Sequence, residues 1–274
     1  MLISLVTATL GRVREMQDLL DSLAAQTYKN FELIIVDQNS HTLLQEMVEK
    51  YVDTINIKYI RSDVKGLSHN RNIGLKHCAG EVVGFPDDDC FYDTDVLLKV
   101  SDYLATHKNL SFVLFEVKDV EEERVFIKCG ALAVSRKDVF KYCISYNVFV
   151  RKDLSVLFDE RLGVGSFYGS GEETDYLWML LRTHDTGAFL EGVYIHHPHN
   201  DASDNYRRAY SYGLGFGALF KKEIVYRKHY SYLSLYLYHL LRTIGGLIVR
   251  KHRLFYYHTL RGRIKGFFSF RLEQ

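Results

Sequence analysis

Along the first hundred residues, short β-branched and aliphatic runs alternate with stretches of helical periodicity. "LISLVTA" (2–8), "FELIIVD" (31–37), "INIKYI" (55–60) and "EVVGF" (81–85) read as strands. Between them, Val13, Met16, Leu19, Leu20 and Leu23 recur at helical spacing over 13–25, and 41–52 and 67–77 are helix-like. This rhythm predicts an α/β fold with a doubly wound, mostly parallel sheet. Ligands of such sheets bind at the carboxyl ends of the strands, which directs attention to the loops "TATLGR", "DQNSHT" and "PDDDC". The middle, 110–170, is less regular. A later helix is predicted to begin at "EETD", with Leu177, Leu180 and Leu181 as its apolar pattern.

Composition narrows the picture. A chain of 274 residues, 47% of them hydrophobic, supports one large α/β domain or two small ones. Cys78, Cys90, Cys129 and Cys143 form no CxxC pair and follow no secretory segment, so free thiols and a cytoplasmic location are expected. The apolar N-terminal run is too short to span a bilayer and is accounted for by a buried first strand, with nothing expected to be cleaved off. The net charge is only +1, but residues 207–274 hold 14 Lys and Arg against 2 acids, a balance of +12 that leaves −11 for 1–206. An acidic body (1–206) and a basic tail (207–274) are therefore expected.

The acidic run Asp87-Asp88-Asp89 directly follows the fourth predicted strand, with Pro86 fixing the approach. In an extended segment Asp87 and Asp89 share one face and Asp88 takes the other. At about 7 Å and an effective dielectric of about 20, two such charges repel by roughly 2 kcal/mol, a cost removed when a hard divalent cation lies between them and a phosphate. A solvated acidic turn is the plainer alternative.

These residues carry a resemblance. "GEVVGFPDDDC" is similar to the D-x-D segment of the family 2 glycosyltransferases of GT-A fold, preceded by G-E-hydrophobic-hydrophobic-x-F. The resemblance implies that Asp89 ligates a divalent metal, Mn²⁺ or Mg²⁺, bridging a nucleotide-sugar diphosphate. It implies that Asp87 lies near the ribose and a metal-bound water, with Asp88 beside the donor. "VTATLGR" (6–12) resembles the family's V-x-P-T-Y-N-R loop, with Ala8 in place of proline, and implies Thr7 and Arg12 at the base and ribose. "IIVDQNSHT" (34–42) resembles I-V-D-D-x-S, with Gln38 for the second Asp, and implies that Asp37 hydrogen-bonds the base. "KGLSHNRNIGLKHCAGE" (65–81) is similar to G-x-x-x-A-R-N-x-G and implies Arg71 and Asn72 near the nucleotide. The likeness extends over about 1–200.

"FDERLGVGSFYGSGEETDYLWMLL" (158–181) resembles the family's F-D-E-x-x-G and G-E-D-x-D-L region. Glu173 aligns with the catalytic base and Glu172 with the acid before it, the two remaining alternatives for that role. A carboxylate there would take the proton of an acceptor hydroxyl attacking the anomeric carbon, giving inversion in one displacement. Helix-terminal placement alone also accounts for Glu172, Glu173 and Asp175. "YIHHPHND" (194–201) lacks zinc-site spacing, and the resemblance implies His197 or His196 as a further metal ligand.

The tail combines its positive charge with 15 Tyr and Phe. Its apolar run 232–249 is interrupted by His239, Arg242 and Gly245-Gly246, so a segment lying on an anionic leaflet is expected rather than a spanning helix, with packing in a homo-oligomer as the alternative. The acidic body argues against nucleic acid as partner. The expected partners are a nucleotide-sugar donor, commonly a UDP-sugar in the resembled family, and a glycan or lipid-linked acceptor in cell-surface polysaccharide assembly. No G-x-G-x-x-G follows the first strand, which disfavours a dehydrogenase. A nucleotidyltransferase and a non-catalytic sugar-nucleotide or polysaccharide binding module remain as rivals.

Overall fold

In a computed structural model of the chain, the described residues are 1–122, 124–128, 133–153, 155–181, 186–198, 205–249 and 251–272. The elements run in order β1 (Ile3–Thr9), α1 (Arg14–Ala24), β2 (Phe31–Asp37), α2 (Leu43–Val48), β3 (Asn56–Arg61), α3 (Leu67–Lys76), β4 (Val82–Gly84) and β5 (Phe91–Tyr92). Then follow α4 (Val96–Thr106), β6 (Leu110–Asp119), β7 (Val125–Ile127), β8 (Ala133–Val134), α5 (Arg136–Tyr142), β9 (Val148–Arg151), α6 (Glu172–Leu180) and β10 (Thr186–His197). Three long helices, α7 (Tyr206–Lys221), α8 (Tyr232–Val249) and α9 (Arg253–Ser269), complete the chain.

The chain divides into two units. One comprises Met1–Lys65, His69–Leu157 and Tyr176–His199; the other comprises Gly66–Ser68, Phe158–Asp175 and Asn200–Gln274. The basic tail therefore forms a unit together with the glycine-rich segment 158–175, rather than by itself.

The first unit is built on a sheet of order β3-β2-β1-β4-β9-β6-β10-β5, with β7 on β6 and β8 on β10. β3, β2, β1 and β4 are parallel; β9 is inserted antiparallel between β4 and β6, and β10 runs parallel to β6. Every residue of β2 is buried, and the continuous apolar run that announced it is what a strand covered on both faces requires. On one face Ile3, Leu5, Leu33, Ile35 and Val82 join the core with Met16, Leu19, Leu20 and Leu23 of α1, each of whose side chains gains about 1.5–3 kcal/mol on full burial. On the other face α3 approaches closely: a Cβ on Gly74 would lie 2.3 Å from Val6 Cγ1. Thr9 pairs with Asp37 and Asp37 with Arg61, so β1, β2 and β3 end level and present their loops together. Elements expected over 2–8, 13–25, 31–37, 55–60, 67–77 and 81–85 all appear within a residue or so; the helix expected over 41–52 closes after Val48 because 49–54 fold into turns. Cys78, Cys90 and Cys143 are buried and in no disulfide, while Cys129 lies outside the described residues.

In the second unit α7 and α9 touch backbone to backbone. A Cβ on Gly213 would sit 3.0 Å from Gly262 Cα, and one on Gly266 would sit 2.1 Å from the Leu214 carbonyl oxygen, so two G-x-x-x-G faces permit the contact. A π-helical turn, Lys222–Tyr226, follows α7 and supports a buried ion network. Lys222 Nζ reaches Asp159 and Asp175 at 2.6 Å each, Arg227 reaches Asp175 at 2.8 Å and also Glu223, and Arg161 holds Asp159 at 2.6 Å. Gly245-Gly246 does not interrupt α8, which by length and composition alone is apolar enough to cross a bilayer. Leu233, Leu237, Leu241, Ile244 and Ile248 of α8 are exposed, Leu241 and Ile248 to 68%.

Candidate active site

The acidic segment after β4 does not behave as three equivalent carboxylates. Asp88 turns inward: its Oδ2 accepts from Thr9 Oγ1 at 2.6 Å and its Oδ1 from Arg12 Nη1 at 2.9 Å, with 7% of the residue exposed. Burial is the main force that pushes this carboxyl up to about 6, over the opposition of Thr9 and Arg12 and with help from Asp87 and Asp89. Asp89 is half-buried, and desolvation alone would raise it; the proximity and charge of His197 and the contact with Arg12 win and hold it below the usual range. Asp87 Oδ1 accepts from Arg71 Nη2 at 2.8 Å and from Ser145 Oγ at 3.1 Å. Arg71, 1% exposed, is thereby fixed as a buried cation beneath a partly open acid.

Asp87, Asp89 and His197 each bring one ligand atom to within 4.8 Å of the others. Asp89 Oδ1 is buried, makes no well-aligned hydrogen bond, and faces His197 Nε2 at 3.2 Å. Two carboxylate oxygens and one imidazole nitrogen match the donor set of Mn²⁺ or Mg²⁺, so the residues fit a divalent cation. His197 is oriented by stacking on Tyr146, centroids 4.3 Å apart and planes 10° apart. Its neighbour His196 points to the other side of the strand, as alternation demands, where Nε2 meets Asp93 at 2.9 Å and the ring stacks on Phe91. Of the two histidines, only His197 joins the acidic pair. His199 lies outside the described residues.

At the end of β2, Asp37 is fully buried and serves its own loops. Oδ1 accepts from the Asn39 backbone N–H at 2.8 Å and from Asn39 Nδ2 at 2.7 Å, and Oδ2 accepts from the Tyr59 hydroxyl. Asn39 Oδ1 in turn accepts from the Gly11 N–H at 2.6 Å, where φ of +81° favours glycine, so Asp37 ties the β1 and β2 loops together. Thr7 is buried with an Oγ1 that makes no hydrogen bond, and Asn72 is buried on α3. Asn39, Tyr59, Ser145 and Tyr146 escaped the sequence reading. Only Asn39 and Tyr59 carried a signal, standing near the ends of predicted strands.

The second acidic group belongs to the second unit. Gly171, with φ of +88°, turns the chain into α6, whose first two residues are Glu172, buried, and Glu173, partly exposed. Asp175, three residues on from Glu172, is held by Lys222 and Arg227. The Tyr212 hydroxyl on α7 is pushed up mainly by burial, with Arg208 opposing and the charges of Glu172 and Glu173 adding to the rise, so these acids lie within its electrostatic reach.

Comparison with known proteins gives these features a family. The profile of glycosyl transferase family 2 matches residues 4–152. Over 278 residues the chain is 24% identical to the Escherichia coli UDP-Glc:alpha-D-GlcNAc-diphosphoundecaprenol beta-1,3-glucosyltransferase WfaP, covering 98% of this chain and 97% of that one. It is 29% identical over 121 residues to the Staphylococcus aureus poly(ribitol-phosphate) beta-N-acetylglucosaminyltransferase TarS, a match that covers 43% of this chain and only 21% of TarS. The match to a Rickettsia felis glycosyltransferase also spans only 21% of that relative. Among solved structures, TarS residues 1–349 superpose with a TM-score of 0.61 at 21% identity, covering 98% of this chain and 72% of that one. The Pyrobaculum calidifontis mannosyltransferase PcManGT, in complex with GDP-Man and Mn²⁺, gives a TM-score of 0.67 at 13% identity, covering 97% and 87%. A parallel half-sheet, an acidic strand end and a profile spanning more than half the chain lead to one conclusion: the protein is a glycosyltransferase of family 2, with a GT-A type fold.

Proposed function

We propose that the chain moves a sugar from a nucleoside-diphosphate donor, a UDP-sugar in the first instance, to a hydroxyl of a glycan or lipid-linked acceptor in cell-surface polysaccharide synthesis. The observation that carries this reading is the convergence of Asp87, Asp89 and His197 at the ends of the parallel strands. Asp87, Asp89 and His197 would hold Mn²⁺ or Mg²⁺. Such an ion supplies charge stabilisation for a departing diphosphate. Asp37 organises the loops that receive the base, with Thr7 and Asn72 beside them; Arg12 and Arg71 set the charge of the acidic segment, and Asp88 anchors it through Thr9.

In the reaction, the acceptor oxygen forms a bond to the anomeric carbon as the bond from that carbon to the diphosphate oxygen breaks. The acceptor proton passes to a carboxylate, Glu173 or its neighbour Glu172, and the nucleoside diphosphate departs with the electron pair. One displacement gives inversion. TarS has been crystallised with UDP and with UDP-GlcNAc, and the acceptor in the name of WfaP is diphosphate-linked, which supports the donor and acceptor classes. The exposed apolar face of α8 and the positive tail support attachment to an anionic leaflet at the cytoplasmic side.

The test is a panel of sugar nucleotides with Mn²⁺ and a mixed glycan acceptor. Release of nucleoside diphosphate with an inverted anomer is expected. Pyrophosphate release would indicate a nucleotidyltransferase, and binding without turnover a recognition module.

A further inference from the structure

The second unit contains a cavity of about 580 Å³ lined by Arg208 and Tyr212 of α7, His239, Arg242 and Thr243 of α8, and Tyr256 and Arg263 of α9, among others. No lining residue is acidic. Arg208 and Arg242 are exposed, and Arg263 is partly buried. Arg208 has its guanidinium over the Tyr212 ring, 4.9 Å from the centroid. Arg263 lies over Phe216 at 4.2 Å, donates to the His239 carbonyl at 2.8 Å and to Thr243 Oγ1, and keeps a buried Nε with no hydrogen-bond partner. None of the three has a carboxylate partner among the described residues. The one described acid in 205–272, Glu223, is committed to Arg227 and His229. Burial, and then repulsion by Arg242, pulls Arg263 down to about 10, and the same influences with Arg263 pull His239 down to about 4.

Arg263, partly buried beside two further guanidiniums and without a counter-charge, is costly until an anion enters, and guanidiniums match phosphate oxygens in planar, paired geometry. Tyr212 connects the cavity to function: it lines the hollow, and its carbonyl accepts from Ser170 Oγ at 3.0 Å, two residues before Glu172. We infer that this cavity binds the phosphate or diphosphate of the acceptor, held by Arg208, Arg242 and Arg263, so that the acceptor's sugar hydroxyl is presented to the glutamates. The anion belongs to the incoming acceptor and not to the donor. The acceptor role rests on the transferase reading; the anion site does not.

The experiment has two arms. In the first, pyrophosphate is titrated calorimetrically into the full chain in EDTA, so that no metal at the acidic segment takes part. Saturable binding is expected, weakened about tenfold or more in Arg242→Gln and in Arg208→Gln, with melting temperatures unchanged. Absence of binding, or equal binding by the variants, overturns the site. In the second, the KM for a short-chain alkyl diphosphate glycan is compared with that for the same glycan on a phosphate-free alkyl chain. Arg242→Gln is expected to raise the first about tenfold and leave the second and the acceptor-free hydrolysis of donor unchanged. Equal effects on both acceptors overturn the acceptor assignment. Selectivity for the diphosphate glycan over free pyrophosphate identifies the source of the anion. If pyrophosphate binding depends on Arg242 while no sugar nucleotide is turned over, the transferase reading fails and the anion site stands.

Discussion

Two groups of carboxylates, each partly withdrawn from solvent, end in opposite states in this protein. Around the π-helical turn, Asp159, Asp175 and Glu223 face Lys222, Arg227 and Arg161, so every acid has a cation at bonding distance and the network is closed. After β4, three successive acids share Arg12, Arg71 and His197, and two of them converge with the imidazole on one point. Each group sets three acids against three basic side chains; what differs is geometry, because among the described residues only the segment after β4 brings two carboxylates and an imidazole to within 4.8 Å of one another. The difference separates a structural use of charge from one open to a ligand, and each can be broken separately.

The largest effect is expected from Asp89→Asn. It should lower turnover on the order of 10³-fold, about 4 kcal/mol of transition-state stabilisation, while the melting temperature moves little. Steady-state nucleoside diphosphate release checks it. In the closed network the opposite holds: Lys222→Met leaves Asp159 and Asp175 short of a cation in the interior and should destabilise the fold by about 3 kcal/mol, measured by denaturant unfolding. Gly266→Val drives a Cβ into the Leu214 carbonyl and should cost about 2 kcal/mol by the same measurement.

The smallest effect concerns pH. His239 is depressed to about 4 in the folded state from an ordinary 6.5, so between those values the unfolded chain binds more protons than the native one. Stability should therefore fall as pH drops from 6.5 towards 4, and His239→Gln should flatten that slope in thermal unfolding scans.

What the sequence made legible follows the same division. β1, β2 and α1 were readable because burial of the sheet forces a continuous apolar run and a helical stripe, both local signals. β6 was not: ten residues, "LSFVLFEVKD", sit in an irregular stretch and form a strand through pairing with β9 and β10, partners 34 or more residues away in register pairs such as Leu114 with Val148 and Phe189. Asp87 and Asp89 were visible as a motif, but the inward turn of Asp88 was not, because it depends on Thr9 and Arg12 at the end of the neighbouring strand β1, 79 and 76 residues earlier in the chain. The choice between His196 and His197 needed the facing of β10, which the composition of "YIHHPHND" does not encode. The role of Asp37 within its loops was hidden for a similar reason, since Tyr59 comes from the next strand.

The most direct test is a titration of Mn²⁺, followed by electron paramagnetic resonance, into the chain with UDP present. The account predicts one bound ion per chain, lost in Asp89→Asn and retained in His196→Ala. Undiminished binding by Asp89→Asn, or none by the natural chain, would contradict it.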